Sequence, residues 1–266
     1  MNWLCDFCVE HGEGKKWYLN AHNYSKELAR KKKLENYDSL HLFMDQKLGE
    51  IGLKFMLTRP ILRHYANDFY TKHHSGQIIP LDDALEILDI AGDFRLFDCP
   101  CEKLIDGVSS KKCLMLGPKS DRMNSLSKEK SEILDREDIE NYLRGFNEKG
   151  LVHSVWTYGV PYIGCICSCD SERCLAVIGR NKFEKYGVNT TIKKSEYLAS
   201  VDEKRCIGCG FCVEKCAFGA IEINQGGKAE INMEKCYGCL NCVSACNRKA
   251  ISHKSREDVP DFEGKW

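Results

Sequence analysis

Apolar residues recur at helical spacing in two stretches of the chain. From Pro80 to Ile90, Leu81, Leu85 and Leu88 form a stripe, and Pro80 stands in the first turn, where a missing N–H is tolerated. From Asp135 to Gly150 the stripe is Ile139, Tyr142, Leu143 and Phe146. Asp135, with Asp138 three residues on, can cap that helix, and Gly150 ends it. Directly afterwards "LVHSVW" (151–156) alternates like a strand. Earlier, "KELARKKKLE" (26–35) keeps helical periodicity through Leu28 and Leu34 and carries five basic side chains, which predicts a solvated helix face. "HHSGQIIP" (73–80) reads as a linker, and the tail from Ser255, "SREDVPDFEGKW", is polar until its last residue and suits lying over a partner or neighbouring domain. The pattern predicts an α+β chain: a helical region at 1–78, a middle domain at 79–200, a compact repeat-bearing domain at 201–252 and a tail at 253–266.

Composition narrows the classes. At 266 residues the chain can bury a real core, and 43% hydrophobic with 29% charged residues is ordinary for a globular protein. The formal net charge is zero, so the surface as a whole recruits neither nucleic acid nor anionic lipid. No apolar run reaches the ~18 residues of a membrane-spanning helix. The 17 cysteines are the anomaly. "MNWLCDFCVEHGEGKKWYLN" has no basic start, no apolar core and no small-residue cleavage site, so the expected compartment is the cytoplasm. Thiols there stay reduced, and when clustered they hold metal more often than they form disulfides.

Eight of the cysteines fall in an internal repeat. "VDEKRCIGCGFCVEKCAFGAIEI" starts at 201 and "INMEKCYGCLNCVSACNRKAISH" at 231, each with an apolar residue (Val201, Ile231) five positions before its first cysteine and Ala-Ile (220–221, 250–251) after its fourth. Two such units predict two equivalent metal sites related by a pseudo-twofold axis. These runs resemble the bacterial-type two-cluster ferredoxins. The resemblance implies that three cysteines of one run and the last of the other hold each [4Fe-4S] cluster: Cys206, Cys209, Cys212 and Cys246 for one, and Cys236, Cys239, Cys242 and Cys216 for the other. Gly208 and Gly238 would let backbone amides approach the sulfurs. Ala217 and Asn247 stand where the family usually has proline, which loosens a turn without removing a ligand. A four-cysteine zinc ribbon needs no third cysteine in each run. Residues 201–252 carry six acidic and seven basic side chains, a near-neutral balance that favours a tethered relay over a freely diffusing acidic carrier.

Seven further cysteines lie in the middle: Cys99, Cys101 and Cys113 in "DCPCEKLIDGVSSKKC", and Cys165, Cys167, Cys169 and Cys174 in "GCICSCDSERC". Side chains two apart on an extended strand share a face, so each Cys-x-Cys can aim two sulfurs one way. The stretch from Pro80 to about Arg180, through "CPC", "CLMLG", "EKGLVHSVW" and "ICSCD", resembles the N-terminal parts of uncharacterised ferredoxin-like iron–sulfur proteins of anaerobes. The expectation is a third [4Fe-4S] cluster on Cys101, Cys113, Cys167 and Cys169, with Cys99, Cys165 and Cys174 as substitutes, or a structural zinc site. The helix–"GLVH"–strand pattern also resembles the second half of a winged helix. Its helix, "REDIENYLRGFNEK" (136–149), carries more acids than bases, so it is expected to be scaffold and not a reader of DNA. At the N-terminus Cys5, Cys8 and His11, with His22 nearby, form a weaker metal signal.

No G-x-G-x-x-G after a strand and no P-loop is present, and no nucleophile triad or carboxylate pair stands out. The expected function is a low-potential electron relay between partner redox proteins or within a larger oxidoreductase complex, with the basic 26–35 run as a docking patch for an acidic donor in the sharper reading. The alternatives are a redox enzyme with a substrate-binding cluster in the middle domain, and a redox-sensing regulator.

Overall fold

The computed structural model describes residues 16–30, 49, 51–72, 76–117, 120, 131–157, 162–188 and 192–260. Ahead of the first strand the described chain is helical: 3-10 turns at Trp17–Leu19 and Ala21–Tyr24, α1 at Lys26–Arg30 and α2 at Arg59–Lys72. Residues 31–35 of the expected basic helix, and Cys5, Cys8 and His11, lie outside the described residues.

The middle of the chain is a sheet. Its strands are β1 (Gly76–Ile79), β2 (Phe94–Asp98), β3 (Lys111–Leu116), β4 (Glu132–Ile133), β5 (Val152–Thr157), β6 (Ile163–Cys169) and β7 (Ile192–Lys193). They form one seven-stranded sheet in the order β4-β2-β3-β6-β5-β1-β7. Neighbours are antiparallel except β1 and β7, which run parallel. Helices α3 (Leu81–Ile90) and α5 (Arg136–Glu148) cover one face, where Leu96, Leu114, Leu116, Val155 and Ile166 pack with Ala84, Ile87, Leu88, Ile139 and Leu143. The opposite face carries Phe97, Cys113, Met115, Cys165, Cys167 and Trp156.

This corrects three expectations. The middle domain is not a winged helix: β5 is an inner strand of a wide sheet, buried on both sides, so its residues do not divide into a wet and a dry face. The linker at 73–80 contains β1, all four residues of which are buried. Its Gln77 is polar yet satisfied, accepting from the Trp17 indole and donating to the Lys194 carbonyl at 3.1 Å. Helix α3 buries Asp83, Ala84, Ile87 and Leu88, whereas Leu81 and Leu85 are only partly covered. The face is turned because the Asp83 carboxylate accepts from Tyr18 Oη at 2.6 Å, Lys16 Nζ at 3.1 Å and Tyr197 Oη at 3.1 Å. The Asp135 cap of α5 is present, accepting from the Asp138 amide at 2.9 Å, and Gly150 leaves the helix at φ +85°. Ile139 and Leu143 are buried there, but Tyr142 is exposed.

The C-terminal part is the repeat made visible. β8 (Tyr197–Val201) leads in and β11 (Ile251–Ser255) leads out, paired antiparallel with Val201 opposite Ile251. Between them lie α7 (Phe211–Glu214), the hairpin of β9 (Ile221–Ile223) and β10 (Ala229–Ile231), and α8 (Asn241–Ser244). Strand pairing thus crosses both boundaries placed at 200/201 and 252/253. The tail does not merely lie over a neighbour. Arg256, in a 3-10 turn at Arg256–Asp258, is completely buried.

Candidate metal centres

The eight repeat cysteines line two cavities. One is bounded by Cys206, Cys209, Cys212 and Cys246, with Ile207, Phe211 and Arg248 among its walls. The other is bounded by Cys216, Cys236, Cys239 and Cys242, with Phe218, Tyr237 and Leu240. The last cysteine of each run therefore joins the first three of the other. Main-chain amides point at the sulfurs: Ala229 N to Cys206 Sγ at 3.3 Å, Ala220 N to Cys216 Sγ at 3.2 Å, and Ala250 N to Cys246 Sγ at 3.3 Å. Amides of Ala229 and Gly208 hold the Cys206 thiol below its usual range, whereas burial pushes Cys239 up to about 12. A thiol so raised keeps its proton at neutral pH unless a metal cation displaces it and balances the charge of the thiolate. The two glycines are required by crowding as well as by φ. A Cβ on Gly208 would lie 2.1 Å from the Gly227 carbonyl oxygen, and one on Gly238 would lie 2.2 Å from that of Tyr197.

The cavities are equivalent in ligands but not in surroundings. At the first, Cys209, Ile207 (62% exposed) and Phe211 (54%) face solvent. At the second, Tyr237 (8%) and Phe218 (5%) replace that open rim, stacked with ring centroids 4.2 Å apart. They pack with Ile78 and Val152 of the sheet and with Cys174 and Val177, the latter on α6 (Leu175–Phe183). The buried Arg180 guanidinium lies 4.6 Å from the Tyr237 ring centre. Arg256 donates to the carbonyls of Ser195 (3.0 Å), Tyr197 (3.1 Å) and Cys236 (3.1 Å). Asn241 Nδ2 donates to the Leu151 carbonyl at 2.9 Å, and Ser195 Oγ to that of Gly238 at 2.8 Å. Sequence reasoning missed Arg180, Arg256, Asn241 and Ser195. They carry no motif, and only the packing of the repeat against the sheet shows their use.

The seven middle cysteines come together on and beside the sheet face opposite α3 and α5. β6 presents Cys165, Cys167 and Cys169 on one side, and its pairing with β3 sets Cys113 opposite Cys167 and Met115 opposite Cys165. Cys113 Sγ is 3.9 Å from Cys167 Sγ, which is 3.7 Å from Cys165 Sγ. Cys99 precedes α4 (Pro100–Asp106), in whose first turn Cys101 sits, and Cys174 precedes α6. Of the four thiols singled out for a third cluster, Cys113 and Cys167 meet and Cys165 joins them, while Cys101 turns to Cys99 and Cys169 to Cys167 and Cys174. Hydrogen bonds from Cys167 and Cys174 lower the Cys169 thiol to about 5. His22 is exposed and joins none of these thiols.

An ion network pins the three cysteine-bearing segments to one another. Lys112 of β3 meets Glu102 of α4 and, at 3.3 Å, Asp170, while Arg173 reaches Glu102 at 3.5 Å and Asp106 at 3.0 Å. Burial would raise the Glu102 carboxyl, but hydrogen bonds from Lys112 and Ser110 outweigh it and bring it down to about 2. Because the folded value is lowered, the network's contribution is present above about pH 4.5 and is lost as the pH falls toward 2. We predict that Glu102→Gln, which leaves the half-buried Lys112 short of a counter-charge, lowers the unfolding free energy at neutral pH by about 2–3 kcal/mol. An unchanged denaturant midpoint would contradict it.

The donor set and the two cavities fit four-iron clusters: thiols on every side, apolar walls, and amides aimed at sulfur. Comparison with known proteins agrees on the class. Residues 205–250 match the 4Fe-4S dicluster domain family, so the chain carries an iron–sulfur module of the electron-transfer kind. A 62-residue stretch, 23% of the chain, is 36% identical to a subunit of the tetrathionate reductase of Archaeoglobus fulgidus, and it covers 26% of that protein's length. No solved structure matches the chain. Among the described residues no helix is long and apolar enough to cross a membrane.

Proposed function

We propose that the chain is a tethered relay that passes single electrons between partner redox proteins, as a subunit or dedicated partner of an oxidoreductase. Cys206, Cys209, Cys212 and Cys246 hold an outer [4Fe-4S] cluster, and Cys216, Cys236, Cys239 and Cys242 an inner one. The clusters supply one-electron carriage at potentials set by hydrogen bonds, charge and burial. The observation that carries the reading is the unequal setting of two equivalent cysteine quartets. Ile207, Phe211 and the exposed Cys209 form an apolar rim on which a redox partner can seat, while Phe218, Tyr237 and Arg180 exclude water from the other quartet. The near-neutral domain fits docking by apolar contact better than long-range steering. The kinship with a reductase subunit supports a place in such a complex.

The middle thiols supply a further metal centre in this reading. Cys169 and Cys174 share an apolar cluster with Cys216 and Cys239, so the middle thiols pack directly beside the inner quartet. Anaerobic purification with iron and sulfide analysis and EPR of the reduced protein tests the proposal. About eight irons per chain with two interacting spins supports the relay, about twelve adds a third cluster, and iron-poor protein after reconstitution refutes it.

A further inference from the structure

We propose that Cys113, Cys165 and Cys167 hold one closed-shell soft cation, Zn(II) or Cu(I), with the Met115 thioether as the fourth sulfur. This deepens the reading of the middle thiols as metal-binding by assigning which of them act together and how many ions they take. Sulfur spacing carries it. A tetrahedral ion with metal–sulfur bonds of about 2.3 Å holds its donors about 3.8 Å apart. The three contacts here are 3.9 Å for Cys113–Cys167, 3.7 Å for Cys165–Cys167 and 3.7 Å from Cys113 Sγ to Met115 Sδ. A four-iron cube holds its thiolates at the ends of outward bonds from separate iron atoms, so they stand much farther apart. The repeat cysteines behave in that way: they ring cavities, and among the described residues the triad is the one group of three or more histidine, cysteine or carboxylate side chains whose ligand atoms lie within 4.8 Å of one another.

The surroundings favour a thioether in the fourth place. Met115 is buried opposite Cys165, in an apolar layer with Phe97 and Trp156. Three thiolates leave one negative charge on Zn(II) and two on Cu(I), and a fourth thiolate would add another in a pocket with little to solvate it. Soft thiolate and thioether donors select Zn(II) and Cu(I) over hard cations. Zn(II) has no other accessible oxidation state, and Cu(I) among thiolates would stay reduced at low cluster potentials, so neither ion would carry an electron between the clusters. It would clamp β3 to β6 and hold the strand from which Cys169 reaches toward the inner quartet.

The test is elemental analysis of the anaerobically purified full chain beside Cys165→Ser and Met115→Leu. The expected result is about one zinc or copper per chain in addition to iron, lost in Cys165→Ser with iron and the EPR of both clusters unchanged. Met115→Leu keeps the ion but surrenders it to a chelator at least tenfold more readily. Wild-type protein with no non-iron metal, or Cys165→Ser short of about four irons, overturns the assignment. If Cys165→Ser does not accumulate, X-ray absorption at the zinc or copper edge of the wild type decides: an all-sulfur shell with no metal–metal vector supports it, and such a vector refutes it. Failure of the relay reading looks different, with iron missing and the single ion retained.

Discussion

Cys216→Ser, purified without oxygen, is expected to lose the same cluster as Cys239→Ser and to keep the one that Cys209→Ser loses. Each variant should retain about half of the wild-type iron, roughly four atoms per chain. The pairing is the sharp part. Cys216 lies in the first run with Cys209, yet it lines the cavity of Cys236, Cys239 and Cys242. EPR spectra of the single variants therefore sort them by cavity and not by run. If Cys216→Ser matched Cys209→Ser, the crossed arrangement would be wrong. The inner variants should also unfold at lower denaturant than the outer ones. Phe218 and Tyr237 are held between the inner cysteines and the sheet, so an emptied inner site loosens the contact with Ile78 and Val152, whereas an emptied outer site loosens only a solvent-facing rim.

The second large effect is expected at Arg256. Replacement by Met keeps much of the volume but removes donors to three carbonyls, those of Ser195, Tyr197 and Cys236. Leaving buried carbonyls without donors costs about 1–3 kcal/mol each, less what water can recover, so a net loss of about 3–5 kcal/mol is expected from denaturant unfolding. Burial lowers the Arg256 pKa, with Cys236 and Glu196 opposing, but a guanidinium remains charged at any pH where the protein is folded. Its positive charge beside Cys236 favours the reduced, more negative state of whatever that thiolate binds. Arg256→Met should therefore lower the inner cluster's potential and leave the outer one in place. A redox titration followed by EPR in which both clusters shift equally would remove the electrostatic part of the argument.

How far the sequence reached can be seen residue by residue. The grouping of the eight repeat cysteines around two cavities was legible because their spacing is regular, and duplication shows it twice. The Asp135 cap and the Gly150 stop were legible because end chemistry is local. The sheet was not. β6 reads Ile-Gly-Cys-Ile-Cys-Ser-Cys, so thiols buried in the sheet like apolar groups hide the alternation that marks a strand. β1 is four residues long and contains Gln77, whose partners are 60 and 117 positions away. The same limit hid the sulfur triad. That Cys165 and Cys167 share a face follows from strand periodicity, but that Cys113 stands opposite Cys167 is a matter of register between distant strands. Arg256 gave no signal, since a buried arginine in a polar tail reads like a solvated one.

β8 and β11 begin and finish the iron-binding unit on a shared rung, Val201 against Ile251. A unit whose two ends leave side by side can be transplanted between unrelated scaffolds without stretching either, much as a plug fits any socket of the right pitch. That portability suits a family match at residues 205–250, which lie between the two paired ends, and it leaves this chain's individuality in the sheet the cassette is plugged into.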